Sequence, residues 1–141
     1  MLREAVGAIH ESKDNKPKIV GVTILTSMNE SSFEEQGVKL NIQDQVINLA
    51  TLAADCGLDG VVCSPHEAGM VKSKCGSDFL TVVPGIRLEK TQSDDQKRTL
   101  TPYEAVRNGA DILVVGRPLT KASDPLEVAK IIRKNIDDYA S

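Results

Sequence analysis

Four short runs of apolar, mostly β-branched residues limit what this chain can fold into. They are Ile19-Val20-Gly21-Val22-Thr23-Ile24-Leu25, Gly60-Val61-Val62-Cys63, Phe79-Leu80-Thr81-Val82-Val83 and Ile112-Leu113-Val114-Val115. Unbroken runs of this length and composition suit strands buried on both faces rather than strands with one wet side. Helical patterns fill the intervals. Residues 2–12 carry Leu2, Ala5, Val6 and Ile9 on one stripe, and residues 41–54 carry Ile42, Val46, Ile47, Leu49, Leu52 and Ala53 at helical spacing before Cys56-Gly57 stops them. A shorter helix is expected over 65–74. Another is expected over 101–108, opened by Thr101 as N-cap with Pro102 at its first position and stopped by Gly109. Asp124-Pro125 starts a C-terminal helix whose Leu126, Val128, Ile131, Ile132 and Ile136 are expected to face inward.

The resulting order, α-β-α-β-α-β-α-β-α, calls for a parallel sheet with right-handed crossovers in an α/β fold. At 141 residues, 40% of them hydrophobic, the chain suits one domain spanning 1–141 with a real core. Four strand-helix units are half of a (β/α)8 barrel, which takes eight units and roughly 250 residues. The longest irregular stretch, about 88–100, is polar and charged, and a loop of that length in so compact a repeat reads as a mobile binding loop or lid.

Composition narrows the function classes. A net charge of −3 gives no general attraction to nucleic acid, and two Phe, two Tyr and no Trp offer little for base stacking. No stretch approaches the about 18 apolar residues of a membrane helix, and the start lacks a signal-peptide layout, so a soluble cytoplasmic protein is expected. Three cysteines, Cys56, Cys63 and Cys75, without CxxC spacing suit free thiols rather than disulfides or zinc. GxGxxG and P-loop motifs are absent, so ATP and dinucleotides are not suggested.

Candidate binding chemistry sits at the ends of the later strands. Pro84-Gly85-Ile86-Arg87, Asp95-Gln96-Lys97-Arg98 and Val114-Val115-Gly116-Arg117-Pro118 combine guanidinium groups with a glycine beside a strand end. Phosphate is held well by such a set, because guanidinium binds it bidentately and glycine lets backbone N–H groups approach. Together with Val22-Thr23-Ile24-Leu25-Thr26-Ser27-Met28 and Gly57-Leu58-Asp59-Gly60-Val61-Val62-Cys63-Ser64-Pro65-His66-Glu67-Ala68, these motifs closely resemble the bacterial orotidine 5′-phosphate decarboxylases over essentially the whole chain. The resemblance implies a TIM-type barrel of which this chain supplies strands five to eight. It also implies an enzyme that, with no metal and no cofactor, converts orotidine 5′-monophosphate (OMP) to uridine 5′-monophosphate (UMP) and carbon dioxide in pyrimidine synthesis.

By the same resemblance, Arg87 and Arg117 grip the phosphate, the Gly116 backbone donates to it, and Gln96 bridges phosphate and pyrimidine from the loop. Thr26 hydrogen-bonds the pyrimidine ring, or Ser27 does if the register shifts by one. The family's Lys-Asp-Lys-Asp array, centred on Asp-x-Lys-x-x-Asp, is spelled nowhere in this sequence. Ser12-Lys13-Asp14-Asn15-Lys16 and Ser93-Asp94-Asp95-Gln96-Lys97 lie in polar connections where water screens them, and they do not replace it. Binding without catalysis is therefore expected of the chain alone, with a partner that is a second copy or the missing first half of the barrel. Two copies could close a barrel about a two-fold axis. A neighbouring phosphate-barrel enzyme, an epimerase or hexulose-phosphate synthase, is the competing expectation, and the Gln96 loop argues against it.

The remaining candidates have plain readings. Cys63-Ser64-Pro65-His66 is a core cysteine followed by a helix start, since neighbours on a strand end do not face each other as nucleophile and base. His10 with Asp14 is a solvent pair one helical turn apart. Glu30, Glu34 and Glu35 form a solvated acidic face.

Overall fold

The computed structural model describes residues 1–11, 16–88 and 98–140. Four parallel strands lie side by side in chain order: β1 (Val20–Val22), β2 (Gly60–Val62), β3 (Leu80–Val83) and β4 (Ile112–Leu113). In register, Val22, Val62, Val82 and Ile112 form one row across the sheet. The helices are α1 (Leu2–Glu11), α2 (Glu30–Glu34), α3 (Ile42–Asp55), α4 (Ala68–Cys75), α5 (Pro102–Arg107), α6 (Arg117–Thr120) and α7 (Pro125–Ala140). Consecutive parallel strands joined by helical crossovers are the repeating unit of an eight-stranded barrel, here present in half its number.

The core lies between the sheet and its helices. Val61, Cys63, Thr81 and Val83 point toward the helices and are buried, packed with Val46, Ala50 and Ala53 of α3 and Ala68 and Val71 of α4. The alternate strand residues point the other way. Val22 and Ile112 are 63% and 47% exposed there, and Val114 just beyond β4 is also exposed. The sheet is thus covered on one face and bare on the other, although its sequence has the apolar character of a sheet covered twice.

Two matching clips close the N-terminal end of the sheet. Asp59, one residue before β2, accepts from the backbone N–H of Ile19 at 2.8 Å and pairs with Lys18 at 2.7 Å. Asp111, one residue before β4, accepts from the Thr81 N–H at 2.7 Å and pairs with Lys72 at 2.6 Å. Each aspartate follows a glycine that ends the preceding helix with positive φ, Gly57 at 83° and Gly109 at 94°. Helix stop and strand clip are therefore one Gly-x-Asp device used twice. Thr81 completes the second clip, with its buried hydroxyl donating to Gly109 O at 2.7 Å. Close packing of β2 on β3 is equally specific: a Cβ on Gly60 would lie 2.2 Å from the Leu80 carbonyl oxygen.

Helix α5 forms as its sequence predicts. Thr101 caps it and shares a capping box with Glu104, and Pro102 occupies the first turn. Three differences from the sequence reading stand out. The acidic Glu30 and Glu34 belong to a helix, α2, capped by Asn29 and Ser32, and the Glu30 carboxylate accepts from the Ile42 N–H at 3.3 Å. The single turn α6 was not expected. Helix α7 buries Ile132 and half-buries Val128 and Ile136 against α5 and α6, but Leu126 and Ile131 are 67% and 42% exposed. At about 100° per residue Leu126 falls on the side opposite Val128, and Ile131 on its flank.

Gly60→Ala is expected to destabilise the fold by about 2–4 kcal/mol, read as a lowered denaturant midpoint, because backbone rather than a movable side chain stands in the way. The Asp111 clip predicts a pH effect. Burial pushes its carboxyl up, but Lys72 and both Thr81 hydrogen bonds outweigh that and hold it below the ordinary 3.8. Its stabilisation is then complete above the ordinary Asp range and lost as pH falls through the lowered folded-state value. Asp111→Asn should cost about 1 kcal/mol at pH 7, discounted for its partial exposure, and should flatten acid unfolding in that window.

Candidate phosphate site at the strand ends

The C-terminal end of the sheet gathers the sequence motifs strand by strand. Past β1, Thr23 stays tied to β2, its N–H and hydroxyl both donating to Val62 O at 3.1 and 2.8 Å. The chain then turns, with Met28 N–H donating to Leu25 O at 3.0 Å. Within this turn Thr26 is buried and Ser27 is exposed.

Past β2, Ser64 to Glu67 make a compact turn. Glu67 N–H donates to Ser64 O at 3.1 Å, and the Glu67 carboxylate accepts from Ser64 N–H at 2.8 Å. Ser64 is fully buried and Glu67 is 2% exposed, whereas His66 faces solvent. Cys63 is sealed in the core, and burial first, then the Glu67 charge, pushes its thiol up to about 12. Thiol and imidazole therefore do not form a nucleophile-base pair, as the sequence reading held.

Past β3, Gly85 turns the chain with φ of 78° and Ile86 is buried. Arg87 follows, half-buried, with Nη1 donating to Ile86 O at 2.8 Å. Its backbone N–H donates to Leu100 O at 3.0 Å, and Leu100 N–H donates to Gly85 O at 3.3 Å, so the returning limb of the loop runs parallel to this strand end. Past β4, Gly116 is the N-cap of α6, its carbonyl accepting from Leu119 and Thr120 at 2.9 and 3.0 Å, and Arg117 begins that turn. A Cβ on Gly116 would meet nothing within 4 Å. The fold itself makes no steric demand for glycine there, and the space beside its backbone is open.

Because β3 and β4 are neighbours, Arg87 and Gly116-Arg117 stand on adjacent strand ends, with Thr26 two strands away on β1 at the same end. Two guanidinium groups beside an open backbone glycine can hold a phosphate dianion, and a buried threonine further along the rim can meet the polar edge of an attached ring. Gln96, most of the expected loop over 88–100 and the Asp14 expected to pair with His10 lie outside the described residues.

The pair that sequence reasoning missed is Glu67 and Arg98. Arg98 Nη1 makes an ion pair with the Glu67 carboxylate, and Nη2 donates to Leu25 O at 3.0 Å and Ile24 O at 3.3 Å. Its Nε is buried and makes no hydrogen bond. The only local signal was that both residues sit within motifs already singled out. Among the described residues no cluster of three or more His, Cys, Asp or Glu could hold a metal ion, and no helix is long and apolar enough to cross a membrane.

A half-barrel of parallel strands joined by helical crossovers belongs to the class of (β/α)8 barrels. Residues 1–132 match the model of the orotidine 5′-phosphate decarboxylase / HUMPS family, and the chain belongs to that family. Over 136 residues it is 43% identical to the orotidine 5′-phosphate decarboxylase of Legionella pneumophila (strain Corby), covering 96% of this chain and 59% of that protein. The Chromobacterium violaceum enzyme of the same name is 50% identical over 124 residues, covering 88% of this chain and 50% of the relative. The crystal structure of the Lactobacillus acidophilus orotidine 5′-phosphate decarboxylase superposes with a TM-score of 0.79 at 35% identity, over 97% of this chain and 58% of that one. This chain therefore spans between half and three fifths of the length of these relatives.

The burial of Cys63 is open to a direct check. With a maleimide reagent near pH 8, Cys56 should label first, Cys75 more slowly because burial raises its thiol, and Cys63 only after unfolding. Early labelling of Cys63 in the native chain would show that the end of β2 is open to solvent.

Proposed function

We propose that this chain forms the phosphate-binding side, and part of the pyrimidine-binding side, of an orotidine 5′-phosphate decarboxylase. The observation that carries this reading is the placement of Arg87 and Gly116-Arg117 on adjacent strand ends, in a chain of the decarboxylase family. Arg87 and Arg117 neutralise the phosphate of OMP, and the open flank of Gly116 lets its backbone approach. Thr26 meets the pyrimidine, and Gln96 spans phosphate and base from the loop after β3. Phosphate binding of this kind is remote from the bond that breaks, and its energy is spent on orienting the orotate ring at the reacting centre.

Loss of carbon dioxide leaves an electron pair on the ring carbon, which takes up a proton to give UMP. That step needs a desolvated acid beside the carbon, and the Asp-x-Lys-x-x-Asp motif that supplies it in this family is absent from the sequence. We therefore assign binding to this chain and turnover to its assembly with the complementary barrel half. The bare apolar sheet face with Val22, Ile112 and Val114 is the surface such a partner would cover, and a second copy is the alternative occupant. Three free cysteines fit a reducing, cytoplasmic setting.

Calorimetry with UMP tests the binding assignment. The full chain should bind UMP, and Arg117→Ala should weaken it by about tenfold to a hundredfold, the loss expected for a charge-assisted contact to phosphate. No heat from the wild-type chain at millimolar UMP overturns the assignment. Decarboxylation of OMP above background by the isolated chain would overturn the separation of binding from turnover. Solution mass by light scattering identifies the occupant of the bare face: a dimer indicates a second copy.

A further inference from the structure

We propose that Glu67 and Arg98 are positioning residues that hold the phosphate side and the base side of the site at a fixed separation. This rests on the binding reading above and adds two residues that do not touch the ligand in it.

Arg98 bridges the limbs of the chain that run past the ends of β1, β2 and β3. On one side it belongs to the strand-like limb whose Leu100 accepts from the Arg87 N–H at 3.0 Å, so Arg98 and Arg87 lie on limbs that are hydrogen-bonded to each other. On the other side its Nη2 donates to the carbonyl of Leu25, the residue before Thr26, at 3.0 Å, and to that of Ile24 at 3.3 Å. The third direction is taken by Glu67 at the end of β2, the strand between the two. Glu67 is itself fixed by the Ser64 N–H at 2.8 Å. One planar guanidinium thus ties the ends of β1, β2 and β3 together, and the residues next to its anchors are Thr26 and Arg87.

Stability alone does not account for such a pair. The Glu67 side chain is 2% exposed and that of Arg98 14% exposed. Burying two charges costs enough desolvation that apolar packing of equal volume generally serves as well or better. What apolar packing cannot supply is direction, whereas a guanidinium fork accepts partners only along fixed lines. Lysine keeps the charge but is a single point, unable to meet the Glu67 carboxylate and the Leu25 and Ile24 carbonyls together.

The test compares two probes on the full chain, inorganic phosphate and UMP, by calorimetry, with thermal melting followed in parallel. Phosphate needs only Arg87, Gly116 and Arg117, whereas UMP must also reach Thr26. Arg98→Lys and Glu67→Gln should each weaken UMP by about tenfold and leave phosphate affinity within about twofold, since misplacing one half of a two-part site costs the joint contact alone. The double variant should be no worse than the poorer single one, because both act through one contact. Equal weakening of both probes, or additive losses in the double variant, would make the pair a general structural support and overturn the proposal. Unchanged UMP affinity in a folded variant would overturn it as well. A wild-type chain that binds neither probe removes the binding reading itself, a result distinct from wild type and variants that bind alike.

Discussion

The geometry of this chain depends on the register of its parallel strands, and between β1 and β2 and between β3 and β4 that register is pinned by carboxylates at the N-terminal end of the sheet. Asp59 and Asp111 each reach across to a backbone N–H of the preceding strand while their own N–H groups donate back, to Ile19 and Thr81. A slip of one residue would exchange the faces of a strand and break both bonds of its clip. Strands of two to four residues carry few ladder bonds of their own, so the clips hold a large share of the pairing specificity. With register fixed at one end, the positions of Thr26, Arg87 and Gly116 at the other end follow from strand length.

The two ends of the sheet thus use charge differently. At the N-terminal end the ion pairs Lys18–Asp59 and Lys72–Asp111 are partly exposed and serve backbone hydrogen bonding. At the C-terminal end the Glu67–Arg98 pair joins a buried carboxylate to a largely buried guanidinium, and Arg87 and Arg117 stand at the rim. This division is that of the barrel family as a whole, in which one face secures the fold and the opposite face carries the chemistry.

Much of this was legible from the residues because it is written locally. Runs such as Gly60-Val61-Val62 and Leu80-Thr81-Val82-Val83 announce strands, Thr101 and Pro102 announce a helix start, and Gly57 and Gly109 announce helix stops. What escaped was either very short or long-range. Helix α2 is five residues of mostly polar composition, held by the Asn29 and Ser32 caps and by a contact from Glu30 to Ile42 twelve residues on. The outward turn of Leu126 and Ile131 reflects which side of α7 meets α5 and α6, a tertiary fact that hydrophobic spacing does not specify. Glu67 and Arg98 pair across 31 residues, and no periodicity connects them. The charged candidates on the rim could be named from the sequence because phosphate chemistry restricts which side chains can serve, whereas the ion pair behind them could not.

The two glycines that matter most are kept by different forces. Gly60 faces the backbone of β3 and has no room for a side chain, whereas Gly116 looks into open space. In a lineage that retained the fold but lost its ligand, Gly60 would persist unchanged while Gly116 became free to drift to any small or polar residue. On the binding role proposed for Gly116, the identity of position 116 is a record of selection for binding, separable in descendants of this chain from the record of selection for folding.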